Sequence, residues 1–514
     1  MENSFYSLLP AVLMLILVLV TRKVLLSLGL GVLVGAILLH DFNLWLAAKE
    51  VGAVFLAIFI DENELNIGNI YLLSFLLLLG IITAFLSASG GSRAFGEWAI
   101  QKVQTRKGAQ LLPIFLGIII FIDDYFNSLA VGQVARPVTD RHKISRAKLA
   151  YFIDSTSAPI TVISPISSWG AYIIGTIGAI LAAEGITDYQ PLEAFVRMIP
   201  MNLYAFAAIL LVIIVAVFDF NIGSMKKHED RAIKTGDLFD PEKGNIPGDL
   251  KDSIEVNANG KIHHLMIPIF TLIISTILAM IITGIREIKG NVTILAIFEN
   301  TNVNLSLFIG GLLAVVIALF LFIIQRDQKA TSFTVILEGI KAMLPAIYIL
   351  ILAWMIGSII DSLGTGTFLA QLVNDTALNA SYLPLLFFVV ASFMALATGT
   401  SWGTFGIMLP IAGEVAAITD VELVLPALAA VLAGSVFGDH CSPISDTSIL
   451  SSTGAGSNHI DHVVTQLPYA FIGAIASAVG YVVMGVSHHV VLSFATAIVV
   501  TIAIVLLLRV INKK

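Results

Sequence analysis

"FIDDYFNSLAVG", residues 121–132, sets Asp123 and Asp124 side by side directly after "LLPIFLGIIIF", a run with no charge and no hydrogen-bonding side chain. The surroundings of this stretch are those of a membrane. Of 514 residues, 57% are hydrophobic and 12% charged, and the mean hydropathy is +0.94, the composition of a polytopic membrane protein. Apolar runs long enough to span lie near 5–21, 24–40, 67–89, 196–218, 265–284, 304–324, 344–362, 463–487 and 490–509. The first has no Lys or Arg before it and Arg22 and Lys23 after it, the reverse of a cleavable signal peptide, so it reads as a retained helix. A single cysteine, Cys441, excludes an intramolecular disulfide framework. The net charge of −7 is dominated by one polar loop, and nothing points to nucleic-acid binding.

Compared with itself, the chain reads as duplicated around Asp123 and Asp124. "LSLGLGVLVGAIL" (26–38) answers "LSLFIGGLLAVVIAL" (305–319), and "IPMNLYAFAAILLVI" (199–213) answers "LPYAFIGAIASAVGYVV" (467–483). Between these anchors "SASGGSRAF" (87–95) matches "DSLGTGTF" (361–368). Four segments follow: a first membrane repeat (1–222), a cytoplasmic polar loop (223–264), a second membrane repeat (265–487) and an extra C-terminal helix with its tail (488–514).

Each repeat holds the same two unusual elements. An apolar run meets a polar tip, "DDYFNS" in the first half and "TGTSWGTF" in the second, and a second short run leads away. Arms this short predict a re-entrant hairpin with its tip at mid-membrane. Then come "AKLAYFIDSTSAPITVISPISSWGAYIIGTIGAI" and "LVLPALAAVLAGSVFGDHCSPISDTSIL", each read as a helix broken in its centre, with Pro159 and Pro443 in equivalent places. That alignment puts Asp439, His440 and Asp446 opposite Ser155, Thr156 and Val162, so the site is asymmetric although the scaffold repeats.

Charge decides the orientation of the halves, because cytoplasmic loops collect Lys and Arg. The first hairpin is flanked by Arg93, Lys102, Arg106 and Lys107, then by Arg136, Arg141, Lys143, Arg146 and Lys148. The flanks of the second, 363–382 and 413–422, carry no Lys or Arg but do carry Asp375, Glu414, Asp420 and Glu422. The expected fold is therefore all-α and polytopic: two inverted-topology repeats, about eleven transmembrane helices, two re-entrant hairpins and two broken helices, N-terminus out and C-terminus in.

Inverted repeats with broken helices suit a secondary transporter that exposes a midplane site to each side in turn. No G-x-x-x-x-G-K-[ST] sequence occurs, so coupling to an ion gradient is the natural energy source and no cofactor is called for. Asp123, Asp124, Asp154, Asp439 and Asp446, read as lying at hairpin tips or helix breaks, would cost of order ten kcal/mol if left unpaired in the membrane. They must meet water, a proton or a cation. Their oxygens, with those of Asn127, Ser155, Thr156, Ser157, Thr400, Ser401, Ser442 and Thr447, form the candidate ion- or substrate-binding set; Na⁺ is assigned to Asp123, Asp124 and Asp439. Two adjacent carboxylates in a poorly hydrated site do not both ionise easily, so one can hold a proton that competes with the cation. His440 is a candidate proton relay, with a helix-end hydrogen bond as the equal alternative.

"FIDDYFNSLAVG", "DSTSAPITVISPISSWG" and "GDHCSPISDTSILSSTGA" resemble the signature segments of the NhaC-type Na⁺/H⁺ antiporter family, and the resemblance runs over most of the chain. It implies sodium extrusion in exchange for protons across a bacterial-type plasma membrane, on a fold of the wider ion-transporter superfamily. Similar proteins include exchangers of organic acids and carriers of amino acids, so an Na⁺-coupled carrier or exchanger of a small organic solute stands as the alternative. A homodimer is left open. An intramembrane hydrolase has no nucleophile elbow or metal-ligand pattern to support it. Trp169 and Trp402 read as packing or interfacial residues in preference to cavity lining, and "FGEWAIQKVQTRKG" (95–108) as one amphipathic helix along the inner surface.

Overall fold

The structure is a computed structural model describing residues 4–21, 23–61, 64–121, 123–165, 167–240, 256–288, 292–326, 328–365, 368 and 380–511. Among these residues the only strands are β1 (Ile60–Asp61) and β2 (Glu64–Leu65), a short antiparallel pair with Ile60 opposite Leu65. The first half of the chain runs through α1 (Leu9–Thr21), α2 (Val24–Leu39), α3 (Leu44–Ala57), α4 (Ile67–Ala88) and α5 (Gly91–Lys102). It continues through α6 (Arg106–Ile119), α7 (Asp124–Arg141), α8 (Arg146–Ile163), α9 (Ser168–Ala183), α10 (Pro191–Met198) and α11 (Leu203–Phe218). The polar α12 (Gly223–Lys234) opens the connecting loop. The second half comprises α13 (His263–Glu287), α14 (Ile294–Glu299), α15 (Val303–Ile324), α16 (Ser332–Ser362) and α17 (Leu383–Thr398). Its remainder is α18 (Ser401–Thr419), α19 (Val424–Cys441), α20 (Asp446–Ala455), α21 (His459–Ser487) and α22 (Val490–Ile511).

The two halves show a similar order of elements. Helices α2, α4, α6–α7, α8–α9 and α11 are followed, in the same sequence, by α15, α16, α17–α18, α19–α20 and α21. Helices α4 and α16 both run into a left-handed glycine, Gly90 and Gly364, each at φ 71°, a conformation that a side chain would strain. Packing is crossed between halves: α2 lies on α16 and α15 on α4, while α7 lies on α20 and α18 on α9. Where α4 crosses α16, a Cβ on Gly80 would stand 2.3 Å from the Gly339 carbonyl oxygen, so only glycine permits the approach.

Ten helices among the described residues are long and apolar enough to cross a membrane, or eleven if α8 and α9, bent by 40°, form one span. Helices α6 and α7, of 14 and 18 residues, reach only about 21 and 27 Å at about 1.5 Å per residue. The arms of the second hairpin do reach spanning length, as Ala380–Thr398 and Ser401–Thr419.

Three details correct the sequence reading. Pro159 lies inside α8, and the break falls after Ile163; the second break falls after Cys441. Both breaks read "SPIS", 164–167 and 442–445, so the partner of Pro443 is Pro165. That register puts Asp439, His440 and Asp446 opposite Thr161, Val162 and Ser168. Asp154 consequently sits in the interior of α8 and not at a break. Residues 95–108 are not one helix: α5 ends at Lys102, and α6 starts afresh on Thr105, whose side chain accepts from Gly108 N–H. Asp375 lies outside the described residues.

Two large apolar clusters form the interior. One joins α1–α4 to α13, α15 and α16; the other joins α9–α11 to α17–α19. At the end bearing the polar loop, α12 is latched down by charge. Lys148, fully buried, donates to Asp219 at 2.6 Å and to Glu229 at 3.2 Å, while Arg106 also bonds Glu229 and Ser145 N–H donates to Glu229 Oε1 at 2.7 Å.

Candidate functional site

Asp123 is the N-cap of α7: its Oδ1 accepts the Phe126 N–H at 3.0 Å, and its Oδ2 accepts the Ser168 hydroxyl at 2.9 Å. Asp124 Oδ1 accepts the indole N–H of Trp169 at 2.9 Å. Ser168 and Trp169 are the first two residues of α9, so two helix N-termini meet at the adjacent carboxylates. Their dipoles and these donors are what make the acid pair tolerable in an apolar setting. Asp124 Oδ2, although buried, takes no hydrogen bond. Asn127 holds the hairpin closed, donating to the Gly117 and Ile120 carbonyls at 2.7 Å each.

The second half presents a related arrangement with the acid on the other element. Thr400 caps α18, accepting Gly403 N–H at 3.4 Å, and Ser401 donates to Asp439 Oδ2 at 2.8 Å from the first position of that helix. Thr447 approaches the same oxygen at 3.5 Å, and Asp439 Oδ1 is buried without a partner. Asp124 and Ser401 thus hold the same place in their helices, just after the N-cap. One brings its carboxylate; the other bonds one. Ser442 ties the break to the hairpin by donating to the Leu396 carbonyl at 2.9 Å. Asp446 Oδ2 accepts from Tyr125 at 3.0 Å and from the Trp354 indole at 3.3 Å, joining α20 to α7 and α16.

The aromatic residues bridge the halves. Trp169 meets Trp402 edge-on at 5.7 Å and Phe405 at 5.4 Å, so Trp169 both packs and donates to the acid pair. Beside them a cavity of about 430 Å³ is lined by Trp354, Ser358, Asp361, Thr398, Thr400 and Asp446. It lies between α16 and the tip of the second hairpin, with Asp361 and Asp446 in its wall.

Other candidates are used differently. Thr156 donates to the Phe152 carbonyl at 2.7 Å and Ser157 to that of Asp154 at 3.0 Å, so these hydroxyls are spent on their own helix, and Ser155 is buried beside them. Asp154 is surrounded by donors: Ser451 to Oδ1 at 3.2 Å, and Ser448, His462 and Gln466 to Oδ2 at 2.9, 3.1 and 2.6 Å. Both its oxygens accept hydrogen bonds, whereas Asp124 and Asp439 each keep one that does not. His440 shares a hydrogen bond with Tyr204 through Nδ1 at 3.0 Å, and its Nε2 is unpartnered. Among the described residues no three His, Cys, Asp or Glu side chains converge as a metal cluster, so a cation here would draw on hydroxyl and carbonyl oxygens as well as carboxylates.

Ser168, Asp361, His462 and Gln466 are the participants that sequence reasoning missed. Ser168 was legible, since the repeated "SPIS" puts it opposite Asp446.

The chain is similar to known proteins over much of its length. A family model described as the Na⁺/H⁺ antiporter family matches residues 160–486. An uncharacterized protein of Haemophilus influenzae is 46% identical over 509 residues, 98% of this chain and 95% of that one. The malate-2H⁺/Na⁺-lactate antiporter of Bacillus subtilis is 28% identical over 195 residues, 37% of this chain and 39% of its own. An uncharacterized Na⁺/H⁺ antiporter of H. influenzae is 32% identical over 153 residues, 29% of this chain and 32% of its own. With ten or eleven apolar spans among its described residues and a family match over more than half its length, the chain is a multi-pass secondary transporter and belongs to the Na⁺/H⁺ antiporter family.

Proposed function

We propose that this carrier exchanges Na⁺ for H⁺ across the plasma membrane by alternating access. The observation that carries the reading is the pair of buried carboxylates, Asp124 and Asp439, each with one oxygen held by a protein donor and the other unpartnered. A buried anion with an open oxygen wants a cation or a proton, and either neutralises it. Na⁺ takes Asp124 Oδ2 and Asp439 Oδ1, with Asp123 adjacent and hydroxyl or carbonyl oxygens of the tips completing its shell. Protonation of the same oxygens expels it. Competition for one set of ligands is enough for antiport.

The crossed packing of the two halves and the Lys/Arg bias of the first hairpin's flanks support inverted repeats, N-terminus out and C-terminus in, with the short-armed first hairpin re-entrant at the site. Purified carrier in liposomes, with an internal pH dye, tests the function. An imposed Na⁺ gradient should drive proton movement in the opposite direction with no other solute present. Proton movement that requires an added amino acid or carboxylate would transfer the assignment to a solute carrier. The 430 Å³ cavity would accommodate such a solute.

A further inference from the structure

The cavity between α16 and the second hairpin, about 430 Å³ in volume, gathers acids and no bases. One wall is a stripe of α16: Trp354, Ser358 and Asp361 follow one another at intervals of four and three residues and so share a face of that helix. Thr400, the cap of α18, and Asp446, the first residue of α20, line it from the other side. Ala353 and Ile444 add apolar surface, and no Lys, Arg or His occurs among the described residues that line it. From Trp354 to Asp361 the helix rises two turns, about 10 Å.

Both carboxylates keep acceptor capacity. Asp446 Oδ2 takes the Tyr125 hydroxyl and the Trp354 indole N–H, while its Oδ1 takes no donor among the described residues. Asp361, one residue from the end of α16, makes no hydrogen bond or ion pair among them. The oxygen of the Thr400 hydroxyl accepts Gly403 N–H, and its own hydrogen is left to donate. A space of this size takes a small molecule, where a single bare ion would leave it mostly empty.

We propose that this cavity binds a small organic cation carrying ammonium groups, a substrate class apart from Na⁺ itself. An open carboxylate oxygen accepts an ammonium N–H in a charge-assisted bond, and an aromatic ring in the wall attracts the same charge. Ala353 and Ile444 offer apolar surface to the carbon chain between such groups. An organic anion would meet two acids and no base, and a neutral solute would leave both acids unneutralised. The site uses neither Asp124 nor Asp439, yet it adjoins the second: Thr400 and Asp446 are followed in sequence by Ser401 and Thr447, whose hydroxyls reach Asp439 Oδ2 at 2.8 and 3.5 Å.

Isothermal titration calorimetry on the purified carrier in detergent, in Na⁺-free potassium phosphate at neutral pH, tests this directly. The probe is the diamine cadaverine, with pentanediol and glutarate as its neutral and anionic counterparts. The diamine should bind saturably and the other two should not. Asp361→Asn should weaken the diamine by about tenfold or more, and Ser358→Leu, which fills the cavity, should weaken it as well, melting temperatures showing each variant folded. Diol or glutarate binding as tight as the diamine, no binding of the diamine to wild type, or wild-type affinity in either folded variant would overturn the inference. No Na⁺ or proton gradient enters the measurement, so its outcome is separate from that of the liposome assay of Na⁺/H⁺ exchange.

Discussion

The indole N–H of Trp169 reaches across from the start of α9 to donate to Asp124 Oδ1 at 2.9 Å, so the first broken helix holds one carboxylate of the hairpin acid pair in a fixed orientation. Trp169→Phe keeps the ring contacts with Trp402 and Phe405 but leaves a buried carboxylate oxygen without its donor, a loss of about 1–3 kcal/mol. The apparent KM for Na⁺ should rise about tenfold or more, with the protein still folded. Unchanged KM would reduce Trp169 to packing.

Asp123→Asn, Asp124→Asn and Asp439→Asn each preserve size and remove charge. Coupled transport should largely disappear in all three, while membrane insertion is retained because an uncharged residue is cheaper to insert. Counterflow assays on variants matched for expression read this. Near-normal flux in Asp124→Asn would contradict the assigned role.

Competition at the acid pair has a definite sign. As pH falls, protons occupy the carboxylate oxygens, so the apparent KM for Na⁺ rises, at most about tenfold per pH unit for one competing proton, with less effect on maximal rate. An Na⁺–solute carrier with permanently ionised ligands would give a flat profile and would require its solute. Na⁺ titrations at several pH values, with and without candidate amino acids, distinguish the two.

The latch on α12 predicts a stability difference. Glu229→Gln removes charge opposite the buried Lys148 and Arg106 and should cost about 3 kcal/mol. Glu193→Ala, which removes an exposed partner of Arg197, should change stability by less than about 1 kcal/mol. Thermal unfolding in detergent compares them. Equal melting temperatures would show the latch to be dispensable.

Orientation is checked by single cysteines in a Cys441→Ser background. Position 226, on α12, should label from the cytoplasm, and position 420, after α18, from outside. Labelling from one side alone would undo the inverted-repeat reading.

The membrane character and the two polar tips were legible because each rests on composition or local pattern. Helix register was not. Pro159 is a helix breaker by residue type, yet it lies inside α8, which runs on to Ile163. The repeated "SPIS" held the correct alignment. His462 and Gln466 were invisible for another reason: they lie some three hundred residues from Asp154, and only packing brings them together.

In the proposed exchange the open oxygens of Asp124 and Asp439 are occupied in turn by Na⁺ and H⁺. Binding of ²²Na⁺ to purified carrier at fixed Na⁺ and stepped pH tests it most directly, each step reading the protons displaced. Wild type should release protons as Na⁺ binds and bind less Na⁺ as pH falls, and Asp124→Asn should do neither. Na⁺ binding of wild-type strength in Asp124→Asn, with no proton release in either protein, would contradict the account.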